Sequence, residues 1–198
     1  MKKLLLFLLA TSASIATMAQ TTKWTTDPMH SFVNFSIKHS GISFVDGSFK
    51  KFEGAIFTSK ADLTDAQINF SVEVSSISTS VEMRDNHLKT DDFFNAEKYP
   101  KMTFVSTSFK KTPVKSPKQS STNYTLKGNL TIRDVTKPVT FMVTYGGTAK
   151  DQQGNTKAGF MATTTLNRLD YNIKYDPTGM GIAKDVEIVL NLQFAQAK

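Results

Sequence analysis

The amino-acid sequence contains no cysteine. No disulfide can therefore cross-link the chain, and no amino-terminal cysteine can carry a lipid anchor. Long hydrophobic runs are also absent. The apolar run at residues 4–10 falls far short of the roughly twenty apolar residues that a membrane-spanning helix needs. We therefore expect a soluble protein whose fold is stabilised by side-chain burial alone.

The amino terminus is typical of a secretory signal peptide. Lys2 and Lys3 precede the short apolar run, and small residues follow it up to Ala19. We predict that residues 1–19 are removed and that residues 20–198 form a single domain. The predicted location is periplasmic or secreted.

Positive charge is in modest excess, with a formal net charge of +7. Much of it falls at residues 110–123, where four lysines accompany two prolines and several small polar residues. This composition predicts a solvated hairpin loop, with at most transient contact with an anionic membrane surface. Because the loop lacks the interleaved aromatic residues of a single-strand binder, no nucleic-acid partner is expected.

Apolar and polar residues alternate with a period of two along most of the chain, which is typical of antiparallel strands with one buried face. Together with three less regular apolar stretches, the alternating segments predict eight strands. Turn signals at Asp46-Gly47, Gly146-Gly147 and Gln153-Gly154-Asn155 separate some of them. Eight such strands favour an all-β, eight-stranded antiparallel barrel, which is filled by side chains or holds one ligand. A two-sheet sandwich is the competing architecture.

The stretch RDNHLKTDDFFNAEKYPKMTF, residues 84–104, interrupts this pattern with charge and paired aromatic residues. Ser78, Thr79 or Ser80 can cap a short helix that includes residues 82–84. Such a helical segment would cover one end of the barrel. The side chains predicted to face inward from this lid are Leu88, Phe93 and Phe94.

Several motifs in order resemble the YceI-like family of exported, lipocalin-like polyisoprenoid-binding proteins. They are WTTDPMHSFVNFSIKH, DGSFKKFEG, SSISTSVEMRDNHLKTDDFFNAEKYPKMTF, KGNLTIRDVTKPVTF and AGFMATTTLNRLDYNI. The resemblance implies a lipocalin-like barrel whose interior takes an isoprenoid lipid, a polyprenyl compound or an isoprenoid quinone. It also implies a non-enzymatic role in binding, storage or transport, and a homodimer. This chain has Asn172 where many relatives have a glycine.

On this reading the inward positions of the strands would line an isoprenoid tunnel, with no resident cofactor. The predicted lining residues are Val33, Phe35, Ile37, Phe70, Val72, Phe104, Leu126, Leu130, Ile132, Phe141, Val143, Ile188 and Leu190.

Charged residues beside an apolar opening should be paired. We predict that Arg84 or Arg168 forms an ion pair with Asp85 or Asp170 and so fastens the helical segment to the barrel. These four residues complete the predicted rim.

The sequence contains no compact metal-binding signature and no nucleophile motif, so no metal and no catalytic residue are predicted. Two alternatives stay open. One is an enzyme that acts on a lipid or small acid within the barrel and uses His39, His87 or the Arg/Asp set. The other is a structural or stress-related exported domain whose barrel is filled by its own side chains, since the fourteen phenylalanines of residues 20–198 suffice for a core or a tunnel wall.

Overall fold

The computed structural model describes residues 21–113 and 122–197. The predicted signal peptide and most of the lysine-rich loop lie outside these residues. No helix of the described part of the chain is long and apolar enough to cross a membrane. The strands are β1 (Thr22–Thr26), β2 (Phe32–His39), β3 (Ser43–Phe49), β4 (Phe52–Thr58), β5 (Gln67–Glu73), β6 (Ile77–Ser78), β7 (Lys101–Lys111), β8 (Thr122–Ile132), β9 (Val135–Lys150), β10 (Thr156–Asn167) and β11 (Ile182–Gln196). The helix α1 spans Glu82–Leu88, and 3₁₀ turns span Pro28–His30, Val74–Ser76 and Arg168–Tyr171.

The strands form a closed antiparallel barrel of eight strands, as the alternation predicted. β1 and β2 lie end to end along one edge of β11, and β3 with β4 and β5 with β6 form two further end-to-end pairs. Each of these pairs acts as one barrel strand. The order is therefore that of an up-and-down meander, and pairing of β1 and β2 with β11 closes it. The sandwich alternative is wrong because closure leaves the barrel with no free sheet edge between its first and last strands.

The three divided strands are neighbours in the barrel. Between β1 and β2, Pro28 cannot donate a ladder hydrogen bond, and Asp27 accepts one from the backbone of Met29 at 3.1 Å. β1 was not predicted as a separate strand because its sequence, TKWTT, carries only one large apolar side chain.

Two of the predicted turns are wrong. Asp46-Gly47 lies within β3, and the β2–β3 hairpin reverses instead at Ser40 and Gly41, which both have positive φ. Gly146-Gly147 lies within β9, close to the point where the β9–β10 register shifts. The predicted turn at residues 153–155 lies correctly between β9 and β10.

The helix α1 begins where the sequence predicted, but its cap is different. Val81 occupies the N-cap position and makes no side-chain cap hydrogen bond. Thr79 instead accepts and donates hydrogen bonds with Arg84 and Asp85 of the helix. Ser78, Thr79 and Ser80 therefore do not cap the helix. The hydroxyl group of Thr79 bonds to the side chains of Arg84 and Asp85 instead.

Candidate functional site

The barrel encloses a cavity of about 900 Å³. This volume lies in the upper part of the range for small-molecule sites. Two apolar clusters surround the cavity, one around Phe109, Tyr124 and Phe194 and one around Phe49, Phe93 and Tyr171. The interior is therefore not filled by the protein's own side chains.

All thirteen side chains predicted to face a tunnel lie on the wall of this cavity: Val33, Phe35, Ile37, Phe70, Val72, Phe104, Leu126, Leu130, Ile132, Phe141, Val143, Ile188 and Leu190. Their contact with a ligand stays a prediction. Further lining residues that were not singled out come from less regular stretches or from strand ends, and they include Val45, Ile56, Phe109, Phe160, Leu192 and Phe194. The alternation of apolar residues in β11 could have identified Phe194 as a lining residue.

Three lining phenylalanines lie against glycines of a neighbouring strand. A Cβ atom on any of these glycines would fall 2.2–2.4 Å from the nearest ring carbon, far inside van der Waals contact. None of the three glycines has positive φ. At Gly47 and Gly54 the close atoms all belong to side chains, whereas at Gly128 a Cβ atom would also lie 2.5 Å from the carbonyl oxygen of Val105. Because glycine has no side chain, each phenylalanine ring can lie against the barrel wall at these positions. The pairs are Phe35 with Gly47, Phe70 with Gly54, and Phe104 with Gly128.

We expect Gly47→Ala to reduce the usable volume of the cavity, because the new methyl group displaces the Phe35 ring towards the lumen. We expect the affinity for a ligand that fills the cavity to fall by about tenfold, which corresponds to about 1.4 kcal/mol. Overpacking of the wall should also lower the free energy of unfolding by about 1–3 kcal/mol. Fluorescence titration with a bound isoprenoid probe measures the loss of affinity. The double variant Gly47→Ala/Phe35→Leu should recover affinity.

Gly159→Ala is the matched control, because no atom lies within 4 Å of the Cβ position there. Equal affinities for Gly47→Ala and Gly159→Ala would show that the Phe35 ring does not set the size of the cavity.

The end of the barrel beside the β4–β5 connection is closed. Leu63 from that connection is 6% exposed and lines the cavity. The Tyr124 hydroxyl donates a hydrogen bond of 2.8 Å to the Asp62 carbonyl, and the Tyr124 ring stacks on Phe109 at 4.4 Å. These contacts hold the connection across this end of the barrel.

The opposite end forms the mouth, since exposed side chains from three segments line the cavity there. They are His39 and Ser43 of the β2–β3 hairpin, Met83 of α1, and Tyr175 of the β10–β11 connection. The β10–β11 connection contacts both of the other segments. Ser40 donates a backbone hydrogen bond of 2.7 Å to Gly181, and the Tyr175 ring lies 5.1 Å from the His87 ring.

The predicted lid residues lie at this end. Phe93 is 6% exposed, and the Phe94 ring meets the Phe49 ring edge-on at 5.8 Å. Leu88, Phe93 and Phe94 all line the cavity. α1 and the residues after it therefore form one side of the mouth.

The predicted ion pair between Arg84 or Arg168 and Asp85 or Asp170 is wrong. Among the described residues, neither arginine forms a salt bridge. Asp85 accepts hydrogen bonds from the backbone and hydroxyl of Thr79, and Asp170 pairs with Lys137 at 3.1 Å. Backbone and hydroxyl groups close to each arginine take the place of the carboxylates.

Arg168 binds the β10–β11 connection through backbone carbonyl groups. The residue is 4% exposed, and its side chain donates five hydrogen bonds. Burial lowers the pKa of its guanidinium, and the charge of Asp176 offsets part of this effect. The planar guanidinium with its five donors suits this role better than an ammonium group would. The acceptors are the carbonyl oxygens of Ile173, Tyr175, Asp176, Ile182 and Ala183.

Asp176 completes the same connection. Its carboxylate accepts hydrogen bonds from the Thr178 hydroxyl and from the backbone N–H groups of Ile182 and Gly181. These bonds lower its pKa to about 2. The carboxylate therefore stays ionised, and keeps the connection folded beside the mouth, at any pH well above about 2.

Arg133, which the sequence analysis did not single out, fastens the lid to the barrel. From the β8–β9 turn, its Nη1 atom donates to the carbonyls of Asp91, Phe93 and Asn172 at 2.7–3.1 Å. Asn172 has a φ of 60°, a left-handed conformation that asparagine tolerates and glycine adopts freely.

Each of the three histidines has its own polar partner close to it in sequence. His39 and His87 line the mouth, whereas His30 lies in the 3₁₀ turn between β1 and β2. Their partners are Asp27 for His30, Ser40 for His39 and Asp92 for His87.

The rim of the mouth carries three strongly exposed apolar side chains, one from each segment. Ile42 is 89% exposed, Met83 is 83% exposed and Met180 is 81% exposed. We call these three residues the apolar rim. Exposed apolar groups clustered at the opening of an apolar cavity are typical of a surface that meets another apolar phase.

Comparisons with known proteins agree with this architecture. The profile of the YceI-like domain matches residues 24–194. A UPF0312 protein of Pseudomonas putida is 40% identical over 79% of this chain and 78% of its own length. BcnA of Burkholderia cenocepacia has the same fold, with a TM-score of 0.72 and 23% identity over 85% of this chain and 98% of the BcnA chain.

A further solved structure is a polyisoprenoid-binding domain from Saccharophagus degradans, implicated in plant cell wall breakdown. It superimposes with a TM-score of 0.64 and 14% identity over 88% of this chain and 98% of its own. The domain match covers most of the sequence and coincides with the closed barrel, from Trp24 in its first strand to Phe194 in its last. The chain therefore belongs to the YceI-like domain family.

Proposed function

We propose that this protein binds an isoprenoid lipid inside its barrel and stores or carries it, without catalysing a reaction. The observation that carries the proposal is the cavity of about 900 Å³ with an almost wholly apolar wall. The related fold in Saccharophagus degradans is that of a polyisoprenoid-binding domain. A filled barrel does not fit a cavity of this size.

Hydrophobic transfer supplies the affinity. Each buried CH₂ group contributes about 0.8 kcal/mol, so chain length governs binding more than the headgroup does until the cavity is full. Ordering of the flexible chain offsets part of this gain. The cargo is a polyprenyl compound or the tail of an isoprenoid quinone, and the amino-terminal residues 1–19 support a role after export.

The apolar rim supports loading from a membrane surface. Met83 lines the cavity, and Ile42 and Met180 lie on the two other segments that border the mouth. A lipid that leaves a bilayer there would pass from one apolar environment to another with little exposure to water. The contact is transient, because three apolar side chains bury little area.

Native mass spectrometry after exposure to vesicles tests the proposal. Delipidated protein is mixed with phosphatidylcholine vesicles that contain a polyprenol or an isoprenoid quinone, separated from them and weighed. We expect one lipid per chain. The variant Ile42→Ser/Met180→Ser should load more slowly from vesicles, yet bind lipid supplied in ethanol as well as the unmodified protein does.

A protein that takes up neither lipid by either route would refute isoprenoid binding. Equal loading rates for the two proteins would refute only the role of the apolar rim. A surface-matched control is Met142→Ser, which removes a half-exposed methionine from β9.

A further inference from the structure

All of the sulfur in the chain is in methionine, since the sequence has eight methionines and no cysteine. No thiolate is present to react first with a peroxide, so the thioether is the sulfur group that such an oxidant attacks. Two of the methionines, Met83 and Met180, belong to the apolar rim. Their oxidation would change the surface at which a lipid enters the barrel.

Met180 is held in solvent by the fold of the β10–β11 connection. The carboxylate of Asp176 accepts a hydrogen bond of 2.7 Å from the N–H group of Gly181, and the Gly179 N–H group donates to the Asp176 carbonyl at 3.2 Å. Met180 lies between these two glycines and is 81% exposed. The same turn borders the mouth, because the Gly181 carbonyl accepts the hydrogen bond from Ser40 of the β2–β3 hairpin.

Met83 is equally accessible. It lies in the first turn of α1, is 83% exposed and lines the mouth of the cavity. Met102 of β7 is the opposite case, since it is 9% exposed and belongs to the apolar cluster that contains Phe49 and Phe93. An oxidant dissolved in water therefore reaches the sulfur atoms of the rim more readily than the sulfur atom in the core.

Oxidation adds one oxygen atom to the thioether. The sulfur lone pair attacks one oxygen of hydrogen peroxide and the O–O bond breaks. The proton of the attacked oxygen passes to the departing hydroxide, which leaves as water. The sulfur is thereby oxidised by two electrons, and the peroxide is reduced by two. The product, methionine sulfoxide, is polar, so its transfer from water into an apolar environment costs free energy.

We propose that Met83 and Met180 are modification sites for a peroxide-type oxidant and that their oxidation slows the loading of lipid from a membrane. This inference rests on the proposed function and on the apolar rim as the loading surface. Affinity for a lipid that is already dispersed in water changes little, because Met83 is the only exposed methionine among the described residues that line the cavity. Methionine sulfoxide reductases restore the thioether, so the effect is reversible.

The test treats delipidated protein with hydrogen peroxide, removes the excess with catalase and locates the added oxygen by peptide mass spectrometry. We expect sulfoxide at Met83 and Met180, whereas Met102 stays a thioether. Transfer of a polyprenol from phosphatidylcholine vesicles should become at least about fivefold slower, because two sulfoxide groups must give up water at the membrane. Affinity for the same polyprenol supplied in ethanol should change less than about twofold, because the apolar wall is intact. Treatment with the reductases for both sulfoxide epimers should restore the rate of transfer.

Met83→Leu/Met180→Leu removes both sulfur atoms and keeps the rim apolar. Each protein is compared with its own untreated sample, and the loading rate of this double variant should not respond to peroxide. Met29→Leu is the matched control, since Met29 is also 83% exposed but lies in the 3₁₀ turn between β1 and β2 and does not line the cavity. Its loading should slow on treatment as that of the unmodified protein does.

Unchanged loading by protein that carries sulfoxide at both positions would overturn the inference. An equal loss of rate in the double variant would overturn it too, because another residue would then be responsible. Oxidation of Met102 as fast as Met83 would show that exposure does not select the sites. Untreated protein that takes up polyprenol neither from vesicles nor from ethanol would instead refute the proposed function, and this inference with it.

Discussion

Replacing Leu130 by glutamate should abolish isoprenoid uptake. Leu130 lies near the carboxyl end of β8, lines the cavity and packs against both apolar clusters. A carboxylate at this position must keep its hydration or become protonated, and either requirement conflicts with an alkyl chain beside it. We expect affinity to fall by at least about a hundredfold, a loss of about 2.7 kcal/mol or more.

Asn129→Glu is the matched control, since the neighbouring side chain on the same strand is exposed. Native mass spectrometry after lipid loading gives the bound fraction for each variant, and circular dichroism shows that each is folded. If folded Leu130→Glu protein still carries lipid at the level of Asn129→Glu, the cavity is not the binding site. Phe141→Glu provides a second test at a lining residue on β9.

Replacing Arg168 by methionine should destabilise the protein by about 3–5 kcal/mol, because it leaves carbonyl groups without partners in a buried region. Three carbonyl oxygens of the β10–β11 connection and two at the start of β11 lose their donor at once. Some of them can recover hydrogen bonds to water, since the connection borders the mouth. Equilibrium unfolding in urea measures the change in free energy.

Lys174→Met serves as the control, because it removes an exposed positive charge from the same connection. Arg168→Lys should recover little stability, since an ammonium group cannot reach five acceptors that surround a planar group. A destabilisation below about 1 kcal/mol in Arg168→Met would mean that the carbonyl groups are well hydrated without the guanidinium.

The alternation of apolar residues predicted both the barrel and its lining, since in a strand the same period determines which side chains face inward. Phe35, Leu130 and Ile188 all lie on the cavity wall for this reason. The presence of a void inside the ring of strands was not predictable from alternation, because a filled barrel has the same pattern. The volume of the void depends on how each aromatic side chain packs against the neighbouring strand.

Polar contacts were predicted less well. A rule that pairs each arginine with a carboxylate ignores the backbone, whereas the described hydrogen bonds of Arg168 and Arg133 all go to carbonyl groups. Which carbonyls converge on one side chain depends on the path of a connection, and no period in the sequence specifies that path. The turn predicted at Asp46-Gly47 was wrong for a related reason. Gly47 makes room for the Phe35 ring, and the sequence does not distinguish such a glycine from one that permits a turn.

The seam at which the barrel closes bears on the order of folding. Every other strand pairs with a segment close to it in sequence, but β1 and β2 pair with β11, so that Trp24 lies opposite Gln196. Contacts between such distant segments carry the largest loop-closure entropy and form late. A chain that lacks β11 keeps two open sheet edges and has no enclosed volume. The binding compartment therefore comes into existence only when the carboxyl-terminal strand meets the first strands of the chain.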